Sequence, residues 1–113
     1  MKPQVTKYTL EKNSSVEIHK VFGDEYYFAL VKMDGRYPEE GKIAHNLNRS
    51  EYMYVLEGHV NVTVNKKTFP LNKGEYCLVE DGDYYTIEGK AETLVFVKDG
   101  KGGTSQIEPL DDK

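Results

Sequence analysis

The chain has no tryptophan, a single cysteine and no apolar run approaching the ~20 residues that a membrane-spanning helix requires. Cys77 has no partner for an internal disulfide, and its setting in EYCLV reads as a buried small hydrophobe rather than a reactive thiol. The opening residues MKPQVTKYTLEK lack the apolar centre of a signal peptide, so a cytoplasmic protein is expected. Without export, the Asn-x-Ser/Thr triplets at Asn13, Asn48 and Asn61 are chance. An excess of basic residues is missing as well. Fifteen Lys and Arg stand against 19 Asp and Glu for a formal charge of -4, whereas a nucleic-acid binder needs a basic stripe to neutralise phosphates. Neither nucleic acid nor membrane is expected as a partner. Helical periodicity is also absent: nowhere do apolar residues recur at intervals of three and four over a helix length.

What remains is a strand-forming chain. Its 113 residues suit one domain, 1–113, able to bury roughly 60 to 70% of its unfolded surface. Nine tyrosines supply strand-formers with a polar tip. VTKYTL reads as a short edge strand followed by the polar turn EKNSS. VEIHKVF alternates weakly, with His19 out of phase and solvated. The run EYYFALVKM, bounded by Asp24 and Asp34-Gly35, reads as a strand buried on both faces. RYPEEGK is a loop, with Arg36 and Tyr37 read as surface residues near a pocket mouth. Residues 59–64 alternate polar and apolar, valines inward and His59 outward, and Asn65-Lys66-Lys67 turns the chain into TFPL. Two short strands flank the turn Glu80 to Asp83, Gly89-Lys90 leads to a last strand, and the Gly-rich tail KGGTSQIEPLDDK reads as mobile or lightly docked. Eight to ten short strands with closely spaced turns predict an all-β sandwich or barrel. Closure into a barrel removes exposed strand edges.

The most informative stretch is HNLNRSEYMYVLEG, His45 to Gly58. A polar turn (Asn46, Asn48, Arg49, Ser50) leads into an alternating aromatic and aliphatic run that Gly58 stops. His45 and Glu51 flank the turn, each at the end of an apolar or aromatic segment. Alternation puts Tyr52 and Tyr54 on the face opposite Glu51, where they suit sheet or dimer packing.

On these residues the segment from about Gly41 to Val97 resembles the cupins, small jelly-roll (double-stranded β-helix) proteins. The first cupin block, G-x5-H-x-H-x3,4-E-x6-G, is matched by His45, Glu51 and Gly58, with the typical VLEG ending at Val55 to Gly58. The second block, G-x5-P-x-G-x2-H-x3-N, keeps Gly74 and Gly82. The resemblance implies a barrel core at about 41–97, preceded by strands in 4–33 and followed by a polar tail at 100–113. It also implies homodimers, by family habit and by the Tyr-rich outer face.

The departures bear on function. Cupins commonly hold a divalent metal on two histidines, a glutamate and a later histidine. Here the second position is Leu47 and the last is Tyr85, while Glu39, Glu80 and Gly89 stand at the first glycine, proline and asparagine positions. With His45 and Glu51 alone retained, the resemblance implies no firmly held cofactor and at most a weakly bound Zn, Fe, Mn or Ni. In the cupin register both residues point into a barrel lined by Leu47, Met53, Val55, Tyr85 and Ile87. There they either share a proton and act as an acid and base pair or simply satisfy one another. Three functions stay open: a small-molecule-binding cupin with a degenerate metal site, a cupin isomerase, epimerase or lyase acting on a sugar or small acid, and a structural or regulatory dimer module.

Overall fold

The computed structural model describes residues 4–9, 14–20 and 25–111. They form seven strands: β1 Gln4–Thr9, β2 Ser15–Lys20, β3 Tyr26–Tyr37, β4 Lys42–Val64, β5 Lys67–Asn72, β6 Tyr76–Val79 and β7 Tyr84–Pro109. All pairings are antiparallel, in the order β1-β2-β3-β7-β4-β5, with β6 on the free side of β4. The long strands β4 and β7 run against each other along their length. Ala44 meets Ile107 on one side and Tyr85 on the other, so the sheet rolls up on itself into a jelly-roll barrel. The all-β jelly roll expected from the sequence is the fold observed. Among the described residues no helix is long and apolar enough to cross a membrane.

The period of two explains which side chains fill the roll. Val60 and Val62 alternate with exposed neighbours and are wholly buried, as the pattern predicts. Each such valine contributes roughly 1.5–3 kcal/mol through burial. Val64 and Lys67 pair across the two-residue loop Asn65-Lys66, both at positive φ (48° and 71°), a turn whose twist matches that of the strands it joins. Cys77 is buried, and burial pushes its thiol up to about 11, as suits a packing residue.

Several expectations are corrected. β3 is buried on one face only: Ala29 and Met33 point inward, while Tyr26 and Leu30 remain exposed on the outer face of the sheet. His19 is covered rather than solvated, stacked on Phe28 with centroids 4.7 Å apart and bonded to Glu17 at 2.9 Å. Gly58 does not stop its strand. With φ +87° it carries β4 past β7 so closely that a side chain there would strike the main chain of Lys90 and Ala91. The tail is not loose, because Thr104 to Pro109 form the end of β7, paired with Lys42 to Leu47. Residues 10–13 and 21–24, which include parts of the first two segments read from the sequence, lie outside the described residues.

The polar turn proposed at 46–50 is instead a bulge inside β4. Asn48 has φ +58°, a left-handed conformation that asparagine tolerates, and the register with β7 jumps from Leu47–Thr104 to Arg49–Asp99. The intervening Gly-rich residues of β7 bow out to match. The Asn48 amide donates to the Lys101 carbonyl at 2.8 Å, and a Cβ on Gly100 would lie 2.7 Å from the Asn48 side chain. A bulge adds one residue to one strand, so it exchanges the inward and outward positions beyond it. Before Asn48 the even positions Ala44 and Asn46 face inward; after it the odd positions Glu51, Met53 and Val55 do.

Candidate ligand site in the barrel

The roll encloses a cavity of about 130 Å³. Its apolar wall comes from four strands, among them Val16 of β2, Ala29 and Met33 of β3, Met53 of β4, and Ile87 and Val95 of β7. Its polar part is built by Glu51, Tyr85, Arg49 and Tyr27, with Ser105 brought in by the end of β7.

Glu51 is a carboxyl group inside this apolar shell, only 8% exposed. Asn46 Nδ2 donates to its Oε1 at 3.2 Å, and the Tyr85 hydroxyl is near enough to act on it electrostatically. Burial dominates and raises its pKa above the usual carboxylate range, against the pull of Tyr85, Asn46 and the nearby Arg49 charge. Tyr85 is also buried, and burial holds its phenol well above the ordinary value. The Tyr85 hydroxyl shares a hydrogen bond with the Ser105 hydroxyl, 3.0 Å away, in which either oxygen can be the donor. Ser105, Tyr85 and Asn46 thus gather around one acid at the cavity wall.

Asn46 itself is fully buried, and among the described residues its Oδ1 has no partner, at a cost of roughly 1–3 kcal/mol. A half-turn of the amide does not relieve this, because it leaves the amide nitrogen in the same unpartnered position.

Beside this chain lies an ion pair. Arg49 Nε donates to Asp99 Oδ1 at 2.6 Å and Nη2 to Oδ2 at 3.1 Å, a side-on bidentate contact. Nη2 also donates to the Tyr27 oxygen at 2.9 Å, and the Tyr27 hydroxyl donates to Asp99 at 3.0 Å. Burial opposes the Arg49 charge, but the bond to Asp99 outweighs it and the guanidinium is held protonated. The Tyr27 phenol is pushed upward mainly by burial.

Of the residues expected to share a pocket, the structure brings Glu51, Met53, Tyr85 and Ile87 together on the cavity wall. Val55 is wholly buried in the core beyond it. His45 and Leu47 do not line the cavity, because the bulge at Asn48 puts them on the other side of β4 from Asn46 and Glu51. The His45 Nδ1 instead lies 2.7 Å from Glu108 Oε2, and its ring stacks on Tyr84 at 3.9 Å. The pairing of His45 with Glu51 is therefore corrected. Arg36 and Tyr37, read as surface, are the last residues of β3, and both line the cavity. The roles of Asn46, Arg49, Tyr27, Asp99 and Ser105 were not foreseen. The signal for Asn46 and Arg49 was present in NLNRS, where an asparagine able to adopt positive φ inside a strand announces a change of phase.

The separation of His45 from Glu51 also decides how a metal fits. Among the described residues no group of three or more His, Cys, Asp or Glu is placed to hold an ion. Around Glu51 the neighbours are an amide, a phenol and a guanidinium that repels cations. This donor set does not fit a tightly held zinc-like ion, which takes three or four nitrogen, sulfur or carboxylate ligands.

An antiparallel roll closed by two long strands around a small, mostly apolar cavity defines the protein as a cupin. Residues 38–101 match the EutQ-like cupin domain, and the chain belongs to that family. Solved structures agree in fold. A nucleoside dehydratase, Pac13 of Streptomyces, superposes with a TM-score of 0.76 at 12% identity, covering 94% of this chain and 90% of that one. The cupin domain of Schizosaccharomyces pombe Cnp3 gives 0.69 at 20% identity over 83% and 70% of the two chains. A predicted oxalate decarboxylase of Thermotoga maritima gives 0.64 at 19% over 87% and 94%. No curated protein sequence matches the chain.

Proposed function

We propose that the protein binds a small organic molecule in the barrel cavity, its apolar body against Met53, Ile87 and Val95 and its polar end at Glu51, Tyr85 and Arg49. One observation carries this reading: a carboxyl group 8% exposed on the wall of a cavity of about 130 Å³, next to a buried amide oxygen without a protein partner. A core built only for stability gains nothing from such a group, since apolar side chains of similar volume avoid its desolvation. A hollow this size is comparable to an engineered ~150 Å³ cavity that takes benzene, so it suits one ring or a short acid. Pac13 variants have been seen with uridine, a small molecule held by the same fold. A thermal-shift screen of small polar and aromatic compounds should find stabilising ligands whose effect is lost in Tyr85→Ala and reduced in Glu51→Gln. A screen with no shift at all, with the hollow filled by its own side chains, removes the reading.

The raised pKa of Glu51, caused by burial, favours a second reading, an isomerase, epimerase or lyase. A neutral carboxyl can protonate a carbonyl or hydroxyl oxygen, and the resulting carboxylate can accept a proton from the adjacent carbon. Glu51 is then the acid and base, and Tyr85 the group that orients it. Turnover abolished in Glu51→Gln with binding retained supports it; turnover surviving that change excludes it.

We also propose a homodimer through the outer face of the sheet. Tyr26, Tyr52, Tyr54, Tyr76 and Phe96 are 49, 49, 38, 63 and 52% exposed, with Tyr52 opposite Phe96 and Tyr54 opposite Tyr76 on neighbouring strands. Together they offer on the order of 500 Å² of contact area. Doubled across a two-fold axis this reaches ~1,000 Å², the lower bound of a specific interface. Light scattering should give twice the chain mass, falling to one in Tyr52→Ser/Phe96→Ser. A monomer of the unaltered protein ends the proposal.

A further inference from the structure

Two arginines line the cavity, and they are used differently. In Arg49 the edge formed by Nε and Nη2 grips the Asp99 carboxylate side-on. In Arg36 it is Nη1 that is anchored, on the carbonyl oxygens of Pro38, Glu39 and Lys42 at 2.7, 2.6 and 3.2 Å. This fixes the guanidinium against the turn between β3 and β4. Among the described residues the Nε and Nη2 groups of Arg36 have no partner, and no carboxylate lies within ion-pair distance of it. Glu88, opposite it in the register with β7, makes no such contact. An arginine carries five N–H donors in a rigid fork, and this edge is the one that matches a carboxylate.

The charge balance of the cavity points the same way. Arg49 is neutralised by Asp99, and burial raises the pKa of Glu51. Of the two arginines at this cavity, Arg36 is the one without a carboxylate partner among the described residues. A three-carbonyl cap on one nitrogen requires only a donor, whereas an immobilised guanidinium with an open fork beside a ring-sized hollow is arranged for more.

We propose that Arg36 receives the carboxylate of the bound molecule, so that the ligand is a small organic acid, a ring or short chain of about six heavy atoms bearing one carboxylate. The Arg36 fork takes its two oxygens in the manner of Arg49 on Asp99, and the body of the molecule lies toward Met53 and Glu51. This rests on the cavity reading above and specifies its ligand.

The probes are benzoate and its uncharged isostere benzamide, titrated calorimetrically into the full chain at neutral pH. Benzoate should bind at least tenfold more tightly than benzamide. Arg36→Gln should erase that preference while leaving benzamide binding in place, which shows an intact cavity. Arg36→Lys, which keeps the charge without the fork, should retain part of it. Equal or tighter binding of benzamide to the unaltered protein, or a benzoate preference that persists in Arg36→Gln, overturns the inference and leaves the cavity reading standing. Failure of both probes to bind, together with a compound screen that yields no ligand, overturns the two together.

Discussion

Two polar clusters sit back to back across one stretch of β4, and they differ in what their surroundings allow. On the inner side Asn46, Glu51 and Tyr85 meet in an apolar shell; on the outer side His45, Glu108 and Tyr84 meet near solvent, the first two with side chains 18 and 16% exposed. By residue type the outer cluster has the better credentials for catalysis, since a histidine 2.7 Å from a carboxylate is a common acid and base pair. Yet the outer pair is saturated: His45 and Gln106 both bond to Glu108, and the His45 ring is covered by Tyr84. It fastens the end of β7 onto β4. The inner cluster has a single acid, but desolvation raises the pKa of that acid and a cavity lies beside it. Location, more than residue identity, makes a group chemically useful.

The comparison breaks most completely if the bulge is removed. Deletion of Asn48 would bring His45 to the inner face and turn Asn46 and Ala44 outward, leaving the Gly-rich bow of β7 with nothing to match. Loss of more than about 4 kcal/mol and of cooperative urea unfolding is expected; a cooperative, stable deletion variant would show that the bulge does not set the phase. Next in size is Asp99→Ala, which strands the Arg49 charge in a site where both partners are mostly buried. Breaking a buried pair this way costs about 3 kcal/mol, read from denaturant midpoints.

The outer cluster should be more forgiving. His45→Ala removes one charge-assisted hydrogen bond and a ring stack, for about 1–2 kcal/mol. It should not alter the ligand preference of the cavity, and a loss of ligand binding as severe as that of Tyr85→Ala would place His45 in the site after all. The smallest effect has the most telling sign. Because the folded pKa of Glu51 is raised above its unfolded value, the native state binds more protons than the unfolded chain between the two. Its contribution therefore falls as pH rises from the ordinary carboxylate range through the folded pKa. Glu51→Gln should lose that part of the pH dependence, so its stability relative to the unaltered protein improves as pH increases. A relative stability of Glu51→Gln that worsens as pH rises would mean that Glu51 is held ionised.

Much of the barrel could be read before any coordinates. The valine alternation at 60–64, the Asn65-Lys66 turn and the glycines at 58, 74 and 82 are local signals, because strand period and left-handed backbone depend on a residue and its immediate neighbours. Glu51, Met53, Tyr85 and Ile87 were placed together by the cupin resemblance, and they share the cavity wall because β4 alternates without interruption from Glu51 to Val55 and Tyr85 and Ile87 keep one phase on β7. His45 was misplaced by one residue of phase, since counting six positions back from Glu51 assumes an unbroken strand and the bulge lies between them. The Gly-rich tail was misread because only its fit around Asn48 explains it.

The sequence by itself therefore determined an all-β chain with Val60 and Val62 inward and turns after Val64, Asn72 and Val79, consequences of local backbone preference and alternation, while the cupin resemblance added one carboxyl destined for the interior. Which groups surround that carboxyl was decided only when β7 folded back along β4. Asn46, Arg49, Asp99, Ser105 and Arg36 lie far apart in the chain or on unexpected faces, and contact across a sheet depends on register, a property that no single strand possesses.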